Sequence, residues 1–197
     1  MATQTPKTKK LDRKFFNRNT LKVAKELLGK YIVRKIGKKT VVGKIIETEA
    51  YMGHDDLASH ASRGKTPRTE IMFGASGVAY IYLIYGMYYC FNIVTEKEEF
   101  PAAVLIRAVE VQNIKSRIQN LKDASGPGKL CRYFKIDKSL NREDIVDSKK
   151  LWLEDRGDKV SQNRIVQKER IGVDYAKYCA FYPWRFYVKD SFFVSKK

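Results

Sequence analysis

The stretch Val78–Asn92 reads VAYIYLIYGMYYCFN, and five of its fifteen residues are tyrosines, at positions 80, 82, 85, 88 and 89. Tyrosine is flat, stiff and amphipathic, and it favours strands. Tyr85-Gly86 predicts a tight turn, because glycine reaches backbone angles that its tyrosine neighbours do not. Two strands, Val78–Ile84 and Met87–Val94, are therefore expected to fold back as a hairpin with an aromatic ring at its tip. Alternation puts Tyr80, Tyr82 and Ile84 on one face and Ile81 and Leu83 on the other. Strand tyrosines either fill a core or offer a stacking surface to nucleobases. Tyr85, at the tip, is poorly placed to be core and fits the second reading best.

On the N-terminal side of the hairpin, Thr20 is expected to cap a helix over Leu21–Leu28 that Gly29 ends. Tyr31–Ile36 and Thr40–Ala50 read as a second hairpin turning at Gly37-Lys38-Lys39. Its second strand runs into Glu47-Thr48-Glu49-Ala50-Tyr51, where two carboxylates at i and i+2 share a face. Acids beside an apolar run are either solvated at a strand end or held as a site, since an unpartnered buried carboxylate is costly. Met52–Lys65 reads as a long loop carrying His54, Asp55, Asp56 and His60, without the spacing of a standard metal site. Thr66-Pro67 then opens a short helix to about Phe73.

On the C-terminal side, Thr95–Phe100 is an acidic loop and Ala102–Val109 an apolar strand interrupted by Arg107. An arginine there either points outward from an edge or faces a buried carboxylate, Glu49 or Glu47 being the candidates. Glu110–Leu121 has the periodicity of an amphipathic helix. Ser125-Gly126-Pro127-Gly128-Lys129 reads as a glycine-rich turn opening another helix. It lacks the spacing of a nucleotide-binding loop, although its amides and Lys129 could hold a backbone phosphate. Leu151–Leu153, Arg164–Val173 and Trp184–Val188 look like further strands, with Arg164, Lys168 and Arg170 forming one basic face. Mixed short strands and helices without repeats or a linker predict an α+β fold: a curved antiparallel β-sheet with flanking helices and a protruding β-hairpin. One domain over 13–197 is expected, behind a basic, unstructured arm over 1–12.

The 39 Lys and Arg against 22 Asp and Glu leave a formal charge of +17 on 197 residues. That excess favours a polyanionic partner, nucleic acid before an anionic membrane, for which no basic amphipathic helix is evident. Three scattered cysteines and two histidines argue against a disulfide framework or a zinc centre. No apolar run approaches a membrane span, and the N-terminus lacks a signal sequence, so the cytoplasm or nucleus is expected.

A basic surface, an aromatic-tipped hairpin, a carboxylate with an arginine in reach and a loop histidine form the set an enzyme needs to extrude one base from duplex DNA. It must fill the gap, clamp the base between flat groups and place a carboxylate near the sugar. The runs Gly43–Tyr51, Ser59-His60, Arg63–Arg68, Met72-Phe73, Tyr82–Tyr88 and Phe91–Ile93 resemble those of the alkyladenine (3-methyladenine) DNA glycosylase family. Ser125–Cys131, Arg170–Val173 and Trp184–Tyr187 do as well, in the same order from about Phe15 to Ser195.

The resemblance implies a monofunctional glycosylase of base excision repair that needs no cofactor and no metal. It would act as a monomer on double-stranded DNA carrying 3-methyladenine, hypoxanthine or ethenoadenine. Glu49 would be the general base for water, held with Arg107 and the main chain near Ile171. Tyr51 and His60 would sandwich the extruded base, with Tyr82 at its edge and Asn92 where a guanine 2-amino group would clash. Tyr85 would intercalate into the duplex, Met72 would pack near neighbouring bases, and Lys129 would meet the backbone. The short N-terminal arm resembles compact bacterial members, implying a cytoplasmic, nucleoid-associated enzyme, or a nuclear one in a eukaryote. Two positions depart from the pattern: His54 stands where a small loop residue is expected, and Tyr178–Tyr182 is unusually aromatic and could alter the pocket rim. Two other functions fit parts of the sequence. A non-catalytic nucleic-acid-binding module would use the same charge and tyrosines but not Glu49 and Arg107, and a small-molecule transferase would make the charge incidental.

Overall fold

The computed structural model describes residues 8–112 and 124–197. Among the described residues, nine antiparallel strands make one sheet: β1 (Lys9–Lys10), β2 (Tyr31–Ile36), β3 (Lys39–Met52), β4 (Ala79–Ile84), β5 (Tyr88–Val94), β6 (Ala102–Val111), β7 (Leu151–Asp155), β8 (Ile165–Lys168) and β9 (Arg185–Val188). Their order is β1-β7-β2-β3-β6-β5-β4, with β9 joined to β3 and β8 to β9. The long strand β3 organises this arrangement. Along one edge it pairs first with β2 and then, from Glu47 to Glu49, with β9; along the other it pairs with β6 from Gly43 to Met52. With its few helices, this is the α+β fold expected.

The helices α1 (Arg13–Phe16), α2 (Thr20–Glu26) and α3 (Pro127–Tyr133) cover the main core. Phe16, Leu27, Phe91, Ile106, Leu130, Phe134 and Phe186 are wholly buried there. Helix α2 is capped by Asn19, whose side chain accepts from the Lys22 amide, rather than by Thr20. Thr20 is buried, and its hydroxyl is taken up by Thr95 and Glu96 at 3.0 and 2.9 Å. A tertiary partner has displaced the local one.

The tyrosine hairpin forms as expected, with Tyr80 opposite Asn92 and Ile84 opposite Tyr88. At its turn the Met87 amide donates to the Ile84 carbonyl at 3.1 Å, and Tyr85 and Gly86 have φ of 51° and 69°. Both central residues are thus left-handed, which suits the twist of a hairpin but is strained for a tyrosine.

Four further expectations change. The arm does not extend to residue 12, because Lys9 and Lys10 pair with Asp155 and Glu154, where opposite charges meet across the ladder. Of the helix expected over Glu110–Leu121, Glu110 and Val111 instead complete β6, and the part from Asn113 on lies outside the described residues. The segment after Thr66 turns on a bond between the Thr66 and Thr69 hydroxyls and is helical, as a 3-10 turn, only over Glu70–Phe73. The strand expected over Arg164–Val173 is confined to Ile165–Lys168, and Arg170 is buried, so only Arg164 and Lys168 stay on the exposed basic face.

Candidate active site

The pairing of β3 with β6 slips twice in four residues. Ile45 faces Val109, Glu47 faces Ala108 and Thr48 faces Ile106, so Ile46 on one strand and Arg107 on the other have no cross-strand partner. Paired irregularities of this kind re-aim side chains without shifting the rest of the ladder. Here they bring Arg107 against both acids of β3.

Glu49 is 0% exposed. Its Oε1 accepts from the Ile171 amide at 2.8 Å, and its Oε2 from the Tyr51 hydroxyl at 2.8 Å and Arg107 Nη1 at 3.2 Å. Glu47, equally buried, accepts from Arg185 Nη1 at 2.9 Å and from the Ser195 amide at 2.8 Å. Arg107 Nε faces Glu47 at 3.6 Å, an ion pair too long for a hydrogen bond. Two carboxylates and two guanidiniums thus form a neutral buried cluster. Burial pushes the Arg107 pKa down, but Glu49 and Glu47 together outweigh it and hold the guanidinium charged.

Next to this cluster opens a cavity of about 390 Å³, within the range of small-molecule sites. Tyr51, His60, Met72, Tyr82, Tyr85, Asn92 and Arg107 line it, so seven of the residues singled out from sequence converge on one space. Glu49 itself stands one layer behind the wall, reached through Tyr51, Arg107 and Ile171, which do line it. Gly172, at φ 76°, follows Ile171 at the turn that presents the Ile171 amide to Glu49.

The aromatic walls are braced from behind. The Tyr51 ring rests on the Arg170 guanidinium at 4.8 Å, and Trp184 covers the same cation at 5.1 Å. Arg170 is fixed in turn by a bidentate pair with Asp56 at 2.6 and 2.7 Å and by the carbonyls of Ala50 and Cys179. Neither Asp56 nor Arg170 was assigned this position from sequence. They lie 114 residues apart, and no local pattern links them.

His60 and Tyr82 also line the cavity, edge to face at 4.6 Å. Burial, reinforced by Arg68 and Arg63, pushes His60 down to about 4, so its imidazole is neutral at pH 7. Burial also raises the Tyr51 and Tyr82 hydroxyls well above the ordinary tyrosine range. The slot therefore presents uncharged, electron-rich rings. Asn92 is held on the floor by its Nδ2 donating to the Tyr80 carbonyl at 3.1 Å. Met72, 2% exposed, packs inward with Tyr80 and Phe73.

Tyr85 is 83% exposed at the hairpin tip, and its inner side contributes to the cavity mouth. Lys129 is exposed on the first turn of α3 and does not line the cavity, although its neighbour Pro127 does. His54 leaves the site alone and packs its ring against Phe73 at 5.6 Å. The aromatic segment Tyr178–Tyr182 is absent from the cavity wall; the rim on that side is Tyr175. Among the described residues, no three His, Cys, Asp or Glu side chains are grouped as a metal site.

Comparison with known proteins places this geometry in a family. Residues 14–192 match the model for methylpurine-DNA glycosylase. The chain is 47% identical to a Desulfitobacterium hafniense protein, with 96% of this chain and all of that one aligned. It is 49% identical to a protein of Legionella pneumophila (strain Lens), over 95% of this chain and 99% of the other. It is 50% identical to one of Methanocella arvoryzae, over 95% and 96%. All three carry the name "Putative 3-methyladenine DNA glycosylase". The chain belongs to the methylpurine-DNA glycosylase family and is a DNA glycosylase, a hydrolase of N-glycosyl bonds.

Proposed function

We propose that this enzyme extrudes alkylated or deaminated purines from duplex DNA and hydrolyses their N-glycosidic bond with a water molecule, leaving an abasic site. The observation that carries the reading is a wholly buried carboxylate, Glu49, directly behind a slot walled by Tyr51, His60 and Tyr82. Tyr85 enters the duplex and fills the place of the departed nucleotide. The base stacks between Tyr51 and His60 with Tyr82 at its edge, and Asn92 meets position 2 of the purine, where a guanine amino group collides. Met72 supports the slot from within.

As the bond from C1′ to the purine nitrogen breaks, its electron pair leaves with the base and positive charge develops on the sugar. Glu49 stabilises that charge and takes one proton from the attacking water, whose oxygen bonds to C1′. Arg107 keeps Glu49 oriented, and the proton afterwards returns to solvent; 3-methyladenine, cationic in DNA, leaves neutral, whereas hypoxanthine and ethenoadenine leave as anions and take up one proton from solvent. The nucleophile is water and no enzyme amine takes part, so the phosphodiester backbone stays intact. Substrates are 3-methyladenine, hypoxanthine and ethenoadenine. An enzyme monomer binds the duplex through its basic surface, Lys129 included.

The test is incubation with duplexes carrying each lesion, followed by heating in alkali. Strand breaks at the lesion, dependent on that heating, support the reading. Tight binding without breaks for every lesion would leave only a nucleic-acid-binding module.

A further inference from the structure

The segment after β9 has no ladder of its own, yet it is fastened to the back of the buried ion cluster. From Ser191 to Lys197 the chain forms neither helix nor strand, so its main-chain polar groups need partners elsewhere. The Phe193 carbonyl accepts from the Ser125 hydroxyl at 2.7 Å. The Ser195 amide donates to Glu47 Oε2 at 2.8 Å, and the Lys196 carbonyl accepts from Arg185 Nη1 at 2.7 Å. Val194, buried, packs with Ile46, Ala108 and Tyr187. None of residues 191–197 lines the slot.

The Ser195 side chain adds something that these main-chain bonds do not. Its Oγ accepts from Arg107 Nη2 at 3.4 Å, and the direction is fixed because a guanidinium only donates. Each nitrogen of Arg107 therefore has its own partner: Glu49 at Nη1, Glu47 at Nε and Ser195 at Nη2. Both carboxylates come from β3. A planar group held only at Nη1 and Nε can rock about the line joining them, which turns its N–H away from Glu49. The third contact, from a separate segment, stops that motion. Arg107 is 7% exposed, so an Nη2 hydrogen released from Ser195 has little water to take its place.

We infer that Ser195 is a positioning residue: its hydroxyl completes a three-point hold on Arg107 and through it keeps Glu49 aligned for the attacking water. Its use in the reaction rests on the proposed role of Glu49, but the hold on Arg107 exists in the free enzyme.

Ser195→Ala deletes the acceptor and keeps the amide that Glu47 uses; Ser195→Thr keeps both. The first measurement is single-turnover release of methylated bases from duplex DNA treated with a methylating agent. Ser195→Ala should be about tenfold slower, the scale of one hydrogen bond to a charged group, with duplex affinity unchanged. Ser195→Thr should stay within about twofold of wild type, a rescue that a hydroxyl-independent packing role does not predict. The second is nitrogen-15 NMR of the arginine side chains in the free enzyme, with Arg107 assigned by Arg107→Lys. Wild type and Ser195→Thr should show separate Nη1 and Nη2 signals, and Ser195→Ala an averaged one, because rotation about the Nε–Cζ bond is released. Slower excision and averaged signals together support the inference. Either one without the other overturns it, as does neither, and so does a Ser195→Thr enzyme with separate signals that is as slow as Ser195→Ala. Full excision by Glu49→Gln would overturn the proposed role of Glu49 instead, and the Arg107 signals would still decide whether Ser195 holds the guanidinium.

Discussion

Replacing Glu49 by Gln separates chemistry from architecture more cleanly than any other change in this protein. The amide has the shape of the carboxylate, so its oxygen can still accept from the Ile171 amide, and the Tyr51 hydroxyl can reverse to accept from the new NH2. What is lost is one charge-assisted bond, from Arg107 at 3.2 Å. Arg107 keeps Glu47 at 3.6 Å, but Glu47 also serves Arg185, so the buried cluster is left with one unbalanced positive charge. The structural loss is then that of removing one partner of a buried ion pair, about 3–5 kcal/mol. For a domain of this size that lowers Tm by roughly 6–20 °C. The catalytic loss is larger. A positioned general base contributes roughly 10²–10⁴-fold, and a unit charge about 4 Å from the developing cation contributes up to about 4 kcal/mol at an effective dielectric of about 20. Single-turnover excision of hypoxanthine should fall by about 10⁴ or more, while fluorescence anisotropy still detects lesion-duplex binding near wild-type strength. Excision within tenfold of wild type, from a variant whose Tm fell as expected, would refute the assignment of Glu49.

Tyr85→Ala removes an exposed side chain from the hairpin tip. It should leave Tm unaltered within a degree or so yet weaken lesion binding by about 1–3 kcal/mol, the scale of one stacking contact; normal binding and cutting would exclude a wedge. Asn92→Ser should raise excision of guanine opposite a mismatch without slowing hypoxanthine removal, and an unchanged guanine background would place the discrimination elsewhere. Arg170→Met strands the Asp56 carboxylate in the interior and should cost about 3–5 kcal/mol by urea unfolding. Adding Asp56→Asn should recover part of that, and additive losses would mean that the two do not act as a pair. For His60 the folded value of about 4 lies below the unfolded 6.5, so the unfolded chain binds the extra proton. The neutral ring's contribution is therefore complete above pH 6.5, is lost as pH falls from 6.5 to 4, and is flat below. The full shift corresponds to about 3 kcal/mol, which solvent on the cavity side screens to about 2. Urea midpoints of wild type and His60→Asn should converge by that amount between pH 7 and 4, and parallel curves would contradict a depressed His60.

What could be read from sequence follows the range of the interactions involved. The tyrosine hairpin was legible because its turn chemistry and alternation are properties of consecutive residues. So was the shared face of Glu47 and Glu49, which follows from spacing alone. Whether that face was wet or buried was not legible, because it depends on β6, β9 and the segment around Ser195, more than fifty residues away. The cap of α2 was misplaced by one residue for a related reason: Asn19 and Thr20 are both good caps, and a loop at Thr95-Glu96 decides between them. Arg170 was assigned to a surface because it continued an alternating basic run. Only the fold shows that the strand ends at Lys168 and that Asp56 is waiting inside.

The two acids of β3 are chemically alike, and their surroundings divide their roles. Each partner of Glu49 is also a wall of the cavity, so a substrate entering the slot meets groups already bonded to that carboxylate. The donors to Glu47 face away from it: Arg185 comes from β9 and the Ser195 amide from the segment that follows. Glu47 thus holds Arg107 from behind while Glu49 meets it from the front. Burying one acid and one arginine would give a neutral pair, but the arginine could follow its partner whenever the site filled. The second acid prevents that, and the second arginine balances the added charge. Desolvating four ions costs several kcal/mol each before their mutual attraction is counted, which is the form that electrostatic preorganisation takes here. The slipped register makes it possible. With Arg107 in ordinary pairing opposite a residue of β3, its side chain would serve one strand neighbour; freed from the ladder, it reaches both glutamates at once.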